Sequence, residues 1–218
     1  MNMKNNKFNG VLHDTMIGIC LGDAHLSTKT KGVTWSLDYT QGGLHRDYSL
    51  FVYEQFKDFC NNEPKEYFDQ PDKRTGKSYS KISWSSRVTP EVAYYGNLFY
   101  KWDVTKVNRK GELVGGMVKI VPSNIAELLS PTALAYFYMD DGHLLLNRQL
   151  GTVKGAYLSV GGFTPLEHHL LIAALKANFN FNPKLHTQGR IYIPNSNLKS
   201  FYQIISPYIA PTMMYKIR

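Results

Sequence analysis

The run PTALAYFYMDDG ends in two adjacent carboxylates, Asp140 and Asp141, followed at once by a glycine. Ser130-Pro131 reads as an N-cap and first helical turn, and Gly142 as the stop. The acids therefore fall at a helix C-terminus, where the macrodipole and the unpaired carbonyls are already negative. Acids at that end call for a cation. A second segment, DTMIGICLGDAHLS, has the same plan. Asp14 or Thr15 is its expected cap, Met16 to Leu21 its body, and Asp23 its closing acid. Gly18 and Gly22 are four apart and so share one smooth helix face.

The segments after the two acids also correspond. After Asp23, Val33, Trp35, Leu37 and Tyr39 alternate with Thr34, Ser36, Asp38 and Thr40, the pattern of a half-buried strand with a polar face. Gly42-Gly43 then leads into the helical spacing of LHRDYSLFVYEQFKDFC. After Asp141, HLLLNRQLGTVKGAYLSVGG reads as two strands, and Gly161-Gly162 leads into a helix with a capping box at Thr164 and Glu167. Each half continues with a second strand pair and a further helix. SYSKISWSSR places Lys81, Ser83, Ser85 and Arg87 on one face. KLHTQGRIYIP is a hairpin turning near Gln188-Gly189. TPEVAYYGNLFYKW and NSNLKSFYQIISPYI supply the last helices. The expected fold is α+β: two pseudo-symmetric αββαββα halves, residues 1–124 and 125–218, each with an antiparallel sheet.

The bulk properties fit that plan. The 218 residues suffice for one large or two small domains. No apolar run reaches the length of a membrane span, and no secretory signal pattern is present. Two cysteines, Cys20 and Cys60, build neither a disulfide framework nor a zinc site, which points to a reducing compartment. The net charge of +8 favours a polyanionic partner. From residue 125 onward the acids are Glu127, Asp140, Asp141 and Glu167, so two of four sit at one helix end. His168-His169 lack cysteine or acid partners and are expected to be surface residues rather than a metal site. The tyrosine-rich runs FVYEQF and AYYGNLFY read as core stripes.

MIGICLGDA and LAYFYMDDG, repeated in register, resemble the two signature helices of the single-chain LAGLIDADG homing endonucleases, above all those of yeast mitochondrial introns. The resemblance implies that the signature helices pack side by side and bring Asp23 and Asp141 together on a DNA-facing floor. Two carboxylates with helix-end carbonyls form an all-oxygen nest for Mg²⁺ or Mn²⁺. Spacing leaves Asp140 and Asp141 equal, but the alignment of the halves chooses Asp141. The carbonyls of Gly22 and Asp140 are further candidate ligands. Lys119 and Lys216 match the family's basic residues beside the reacting water, and Gln41 matches its polar residue before the second helix. Gly161 replaces that glutamine in the second half, and Tyr136 stands where the first motif has Gly18. The first departure argues against a symmetric, glutamine-assisted mechanism, and the second makes the helix interface asymmetric in detail.

The resemblance also implies β-ribbons lying in the major groove. The candidate DNA contacts are Thr34, Ser36, Asp38, Thr40, Lys81, Ser83, Ser85 and Arg87, with Lys73, Arg74 and Lys77 at a phosphate-contacting loop tip. In the second half they are Arg148, Lys154, Tyr157, Ser159, Lys184, His186, Arg190 and Tyr192. The implied activity is a monomer's metal-dependent double-strand cut in a long, near-asymmetric DNA site, leaving short 3′ overhangs and spreading an intron. The alternative is an RNA maturase or a non-cutting DNA-binding regulator on the same scaffold. An AT-rich organellar gene would suit the composition, and the resemblance implies a mitochondrial address.

Overall fold

Ser130 caps α5 (Pro131–Asp141) by accepting the Ala133 N–H at 3.1 Å, with proline in the first turn. The computed structural model describes residues 8–108, 110–147 and 149–217. The matching helix α1 (Gly10–Leu21) starts earlier than the sequence suggests. Asn9 precedes it without a side-chain cap, and the Thr15 hydroxyl donates to Gln55 Oε1 at 3.0 Å instead of capping. Thr15 to Leu21 and Thr132 to Met139 are buried all round, so these two helices form the centre of the molecule rather than an amphipathic shell.

Small residues let the two helices meet closely. A Cβ on Gly18 would lie 2.5 Å from the Ala133 carbonyl oxygen, and one on Gly22 would lie 2.5 Å from Asp140 Cβ. Positions 18 and 22 thus meet 133 and 140 in the same order, so the helices run parallel. Tyr136 fills the space over Gly18, its Cβ 2.6 Å from that hypothetical atom.

After α1 come β1 (His25–Ser27), β2 (Ser36–Gly42), α2 (Arg46–Phe56), β3 (Lys65–Phe68), β4 (Ser80–Ser85) and α3 (Pro90–Phe99). After α5 come β7 (Gly142–Asn147), β8 (Thr152–Ser159), α6 (Pro165–Phe179), β9 (Lys184–His186), β10 (Arg190–Pro194) and α7 (Asn195–Ile205). The sheets are antiparallel, ordered β1-β2-β4-β3 and β7-β8-β10-β9. The αββαββα order thus recurs in both halves. The capping box at Thr164 and Glu167 forms, and Glu167 Oε1 also accepts the Val121 N–H at 3.1 Å, tying the connecting segment to α6.

Between the halves lies a hairpin that local periodicity does not announce, β5 (Tyr100–Asp103) with β6 (Gly116–Lys119), followed by the short α4 (Ile125–Leu128). The apolar spacing that suggests a helix as far as Trp102 is cut at Phe99, because Tyr100 pairs with Lys119 nineteen residues on. Val52, Phe56, Tyr95 and Phe99 are core, as the tyrosine-rich runs suggest. His168 departs from expectation: it is buried, with Nε2 2.8 Å from the Val160 carbonyl, whereas His169 is exposed.

Candidate active site and nucleic-acid interface

The ends of α1 and α5 form the floor between the sheets. Each helix end receives a lysine from a distant element. Lys119, at the end of β6, donates to the carbonyls of Gly22 at 2.8 Å and Ala24 at 2.7 Å, one on each side of Asp23. Lys216, in the 3-10 segment Pro211–Ile217, donates to the Met139 and Tyr138 carbonyls of α5. Lys216 is buried and Lys119 half-buried, and desolvation lowers the pKa of each while the nearby acids oppose that shift. The helix ends thus carry cations of the chain's own, held by carbonyl oxygens at and just past the helix C-termini, of which that of Tyr138 also accepts the Gly142 N–H.

The three acids have different surroundings. Asp23 is exposed, and its Oδ2 accepts from Gln41 Nε2 at 2.8 Å. Asp141 is half-buried and accepts no hydrogen bond among the described residues. Burial, then the charge of Asp23, pushes its carboxyl up to about 6, with Lys119 and Lys216 pulling the other way. Asp140 turns into the helix seam and is pushed up to about 8 by burial and then by Asp23. Its carboxylate accepts from Tyr39, Tyr48 and the Asp23 backbone, so only its carbonyl is left for the ligand role suggested by sequence.

No group of three or more His, Cys, Asp and Glu side chains is poised around one ion among the described residues. The donor set of two carboxylates still fits a divalent ion of the magnesium type, which keeps most of its shell as water and substrate phosphate oxygens. Asp23 also raises the Asp141 pKa, the like-charge strain that a cation relieves. The Gly22 carbonyl already accepts from Lys119, so one of its two lone pairs is taken.

Strand register decides which polar residues share a face. His25, Asp38 and Ser85 align across three strands, as do Thr40, Ser83 and Lys65. Ser36 pairs with Ser27, and Lys81 with Tyr67. The predicted Ser36, Asp38, Thr40, Lys81, Ser83 and Ser85 therefore come together, joined by His25, Ser27, Lys65 and Tyr67, which require pairing information to find. Asp38 accepts from Ser85 at 2.7 Å, and Lys81 pairs with Asp69 at 2.8 Å. Two residues depart from the plan. Thr34 precedes β2 and is folded into a turn by the Thr30 hydroxyl, and Arg87 lies past β4 with its guanidinium on the Asp58 carbonyl. Lys73, Arg74 and Lys77 are exposed in the β3–β4 loop.

The second sheet presents rings instead. His143, Tyr157, Tyr192 and Lys184 align, as do Ser159, Arg190 and His186. His186 stacks on Tyr192 at 4.8 Å between centroids, and the Arg190 guanidinium sits 5.2 Å from the Tyr157 ring. Tyr157 is only 7% exposed, with its hydroxyl 2.9 Å from His186 Nδ1, so it supports its neighbours more than it meets solvent. A register shift between Leu145 and Leu146 puts Val153 against the core and leaves Lys154 exposed. Arg148 lies outside the described residues.

Comparison with known proteins agrees with this geometry. The sequence profile of the LAGLIDADG DNA endonuclease family matches residues 13–201. The chain is 28% identical over 216 residues to the DNA endonuclease I-ChuI of Chlamydomonas applanata, covering 94% of this chain and 93% of that one. It is also 28% identical over 214 residues to the cytochrome b mRNA maturase bI2 of Debaryomyces hansenii, covering 94% and 72%. Its fold matches the homing endonuclease I-WcaI, solved bound to its DNA recognition sequence, with a TM-score of 0.79 at 23% identity over 95% of this chain and 86% of that one. No described helix is long and apolar enough to cross a membrane. A divalent metal ion is implied by the family as a whole. The profile match spans both signature helices and both sheets, and the chain belongs to the LAGLIDADG DNA endonuclease family: it is a DNA-cutting enzyme with two signature halves in one polypeptide.

Proposed function

We propose that the chain is a monomeric, site-specific endonuclease that cuts both strands of a long, near-asymmetric DNA site, each half of which is read by one sheet. Residues 1–124 and 125–218 are the two reading halves. The observation that carries this reading is the pair of carboxylates, Asp23 and Asp141, on a floor made by two parallel helix ends, each with a lysine bonded to its carbonyls. Asp23 and Asp141 would hold Mg²⁺ or Mn²⁺, with the Gly22 and Asp140 carbonyls as auxiliary oxygens. Such ions supply Lewis-acid stabilisation and lower the pKa of water.

The chain's own residues set the geometry. Gln41 fixes the Asp23 carboxylate. Lys119 and Lys216 place positive charge beside the attacked phosphate, where negative charge grows in the transition state. The sheet faces of Ser36, Asp38, Thr40, Lys81, Ser83 and Ser85, and of Ser159, Lys184, His186, Arg190 and Tyr192, lie in the major groove, with Lys73, Arg74, Lys77 and Lys154 on phosphates. The product is a short 3′ overhang, and the biological role is intron homing in a mitochondrion.

The test is a cleavage selection from a library of intronless gene fragments, run with Mg²⁺ in one tube and Ca²⁺ in the other. One fragment cut at one place in Mg²⁺ alone is the expected result. Binding in both tubes with cutting in neither would instead favour a maturase or regulator. The similarity to a protein named as an mRNA maturase gives that second reading its support.

A further inference from the structure

Asp140 does not face the cleft beside Asp141. Its Oδ2 accepts the backbone N–H of Asp23 at 3.0 Å, across the helix seam. Its Oδ1 accepts the hydroxyls of Tyr39 at 2.8 Å and Tyr48 at 2.7 Å. Tyr39 in turn accepts from Gln41 Nε2 at 3.1 Å, and the same amide group donates to Asp23 Oδ2 at 2.8 Å. The contacts close a loop from the Asp140 carboxylate through Tyr39 and Gln41 to the Asp23 carboxylate, and directly from Asp140 to the Asp23 backbone. Both ends of Asp23 are thereby fixed from one side chain of the other helix.

The loop exists once. The position that matches Asp140 is Gly22, just past the end of α1, which has no side chain to return the contact. Gly22 is also what admits Asp140, since a Cβ there would lie 2.5 Å from both Cβ and Oδ2 of that aspartate. Strand register, which sets His25 against Asp38 and His143 against Tyr157, makes Val160 rather than Gly161 the counterpart of Gln41, and its apolar side chain offers Asp141 no amide.

We propose that Asp140 is a positioning residue that orients Asp23 for cleavage, through its backbone N–H and through the Tyr39–Gln41 relay. The inference rests on the nuclease reading of the site. It gives the two active-site acids unequal support: Asp23 is held in place before DNA arrives, and Asp141 is not. Groups that hold a metal-binding side chain from behind change metal affinity by about 10- to 100-fold when removed. A misplacement on the order of 1 Å at a reacting group lowers rate by about 100-fold.

The experiment uses the full chain and the duplex recovered from the Mg²⁺ selection. Asp140→Ala is expected to lower the single-turnover rate at saturating DNA about 100-fold, while DNA affinity measured in Ca²⁺ stays within about threefold. Mn²⁺ affinity of the DNA complex, read by electron paramagnetic resonance, is expected to fall about tenfold. Asp140→Asn keeps the shape and one acceptor and should recover part of the rate. Gly22→Ala leaves every charge in place but drives Asp140 off its contacts, and should reproduce the rate loss; it also serves if Asp140→Ala does not fold. Loss of rate in step with melting temperature and DNA affinity would make Asp140 a packing residue only and overturn the proposal. Asp23→Asn is the control. If it is inactive while Asp140→Ala and Gly22→Ala cut and bind Mn²⁺ like the parent, the brace alone is wrong. If Asp23→Asn cuts at full rate, the nuclease assignment of the site falls, and the brace with it.

Discussion

Asp23 and Asp141 end two helices of the same design, yet one is tethered and the other is not. Asp23 is exposed, bonded by Gln41, and flanked by carbonyls that Lys119 engages. Asp141 is half-buried and without a hydrogen-bond donor among the described residues, and the lysine of its half bonds one turn back, at Tyr138 and Met139. The sheets differ in the same way. The first offers hydroxyls, carboxylates and lysines, whereas the second offers a cluster of His143, Tyr157, His186, Arg190 and Tyr192. Pseudo-symmetry keeps the scaffold and the acids, and the surroundings are free to diverge. An asymmetric duplex has two different half-sites, so unequal sheets are what reading it requires.

The sharpest way to break the comparison is to neutralise each acid in turn. Asp23→Asn and Asp141→Asn are each expected to slow plasmid linearisation by about 1,000-fold or more, because each removes a charge on which metal-assisted stabilisation depends. Binding in Ca²⁺ should persist. A variant that retains a tenth of the parent rate would mean that the two acids are not equivalent in chemistry either.

Gln41→Ala comes next, with an expected loss of about tenfold, because it frees a carboxylate without removing it. The mirror substitution, Val160→Gln, should give no gain. Val160 is 1% exposed in the apolar core, so an amide there must be buried among apolar neighbours before it can serve Asp141. A rate increase in Val160→Gln would show that only the missing glutamine separates the two halves. For the sheets, Arg190→Ala should weaken DNA binding by about 1–3 kcal/mol and relax specificity at the base pair it reads. Lys77→Ala should instead reduce the slope of log affinity against log salt by about one.

The legible part of this molecule was local. Ser130 and Thr164 cap helices as their neighbours dictate, Trp35, Leu37 and Tyr39 alternate into the core, and Gly18 and Gly22 mark the helix seam. The part that the sequence hid depends on pairing at long range. Tyr100 leaves the helical pattern because it meets Lys119, and His168 is buried because the Val160 carbonyl is there to receive it. The register that adds His25 and Lys65 to the polar face, and the shift that exposes Lys154, cannot be read from either strand alone. Asp140 is the clearest case. Spacing makes it the twin of Asp141, and only the fold turns it towards Tyr39, Tyr48 and the other helix.

The smallest effect is a dependence of stability on pH in the metal-free protein. The Asp141 and Asp140 carboxyls are held up to about 6 and about 8, above the roughly 3.9 of an unfolded aspartate. A raised acid binds more protons in the native than in the unfolded state, so stability falls as pH rises from about 4 through the two native values. For Asp141 the shift sets an upper bound of about 3 kcal/mol. Lys119 and Lys216, lowered by burial, act in the opposite sense at the alkaline end, where the native chain releases protons that the unfolded chain keeps. Calorimetry between pH 5 and 8 should therefore show a melting temperature that declines by several degrees. Asp141→Asn should flatten the lower part of the curve and Asp140→Asn the upper part. A divalent cation should raise the melting temperature more at pH 8 than at pH 5, because Asp141 is then fully charged beside Asp23 and Asp140 is partly so. A flat metal-free curve in the parent protein would show that burial and the charge of Asp23 penalise these carboxylates less than their place at the helix ends implies, and that the floor has no need of a cation before DNA arrives.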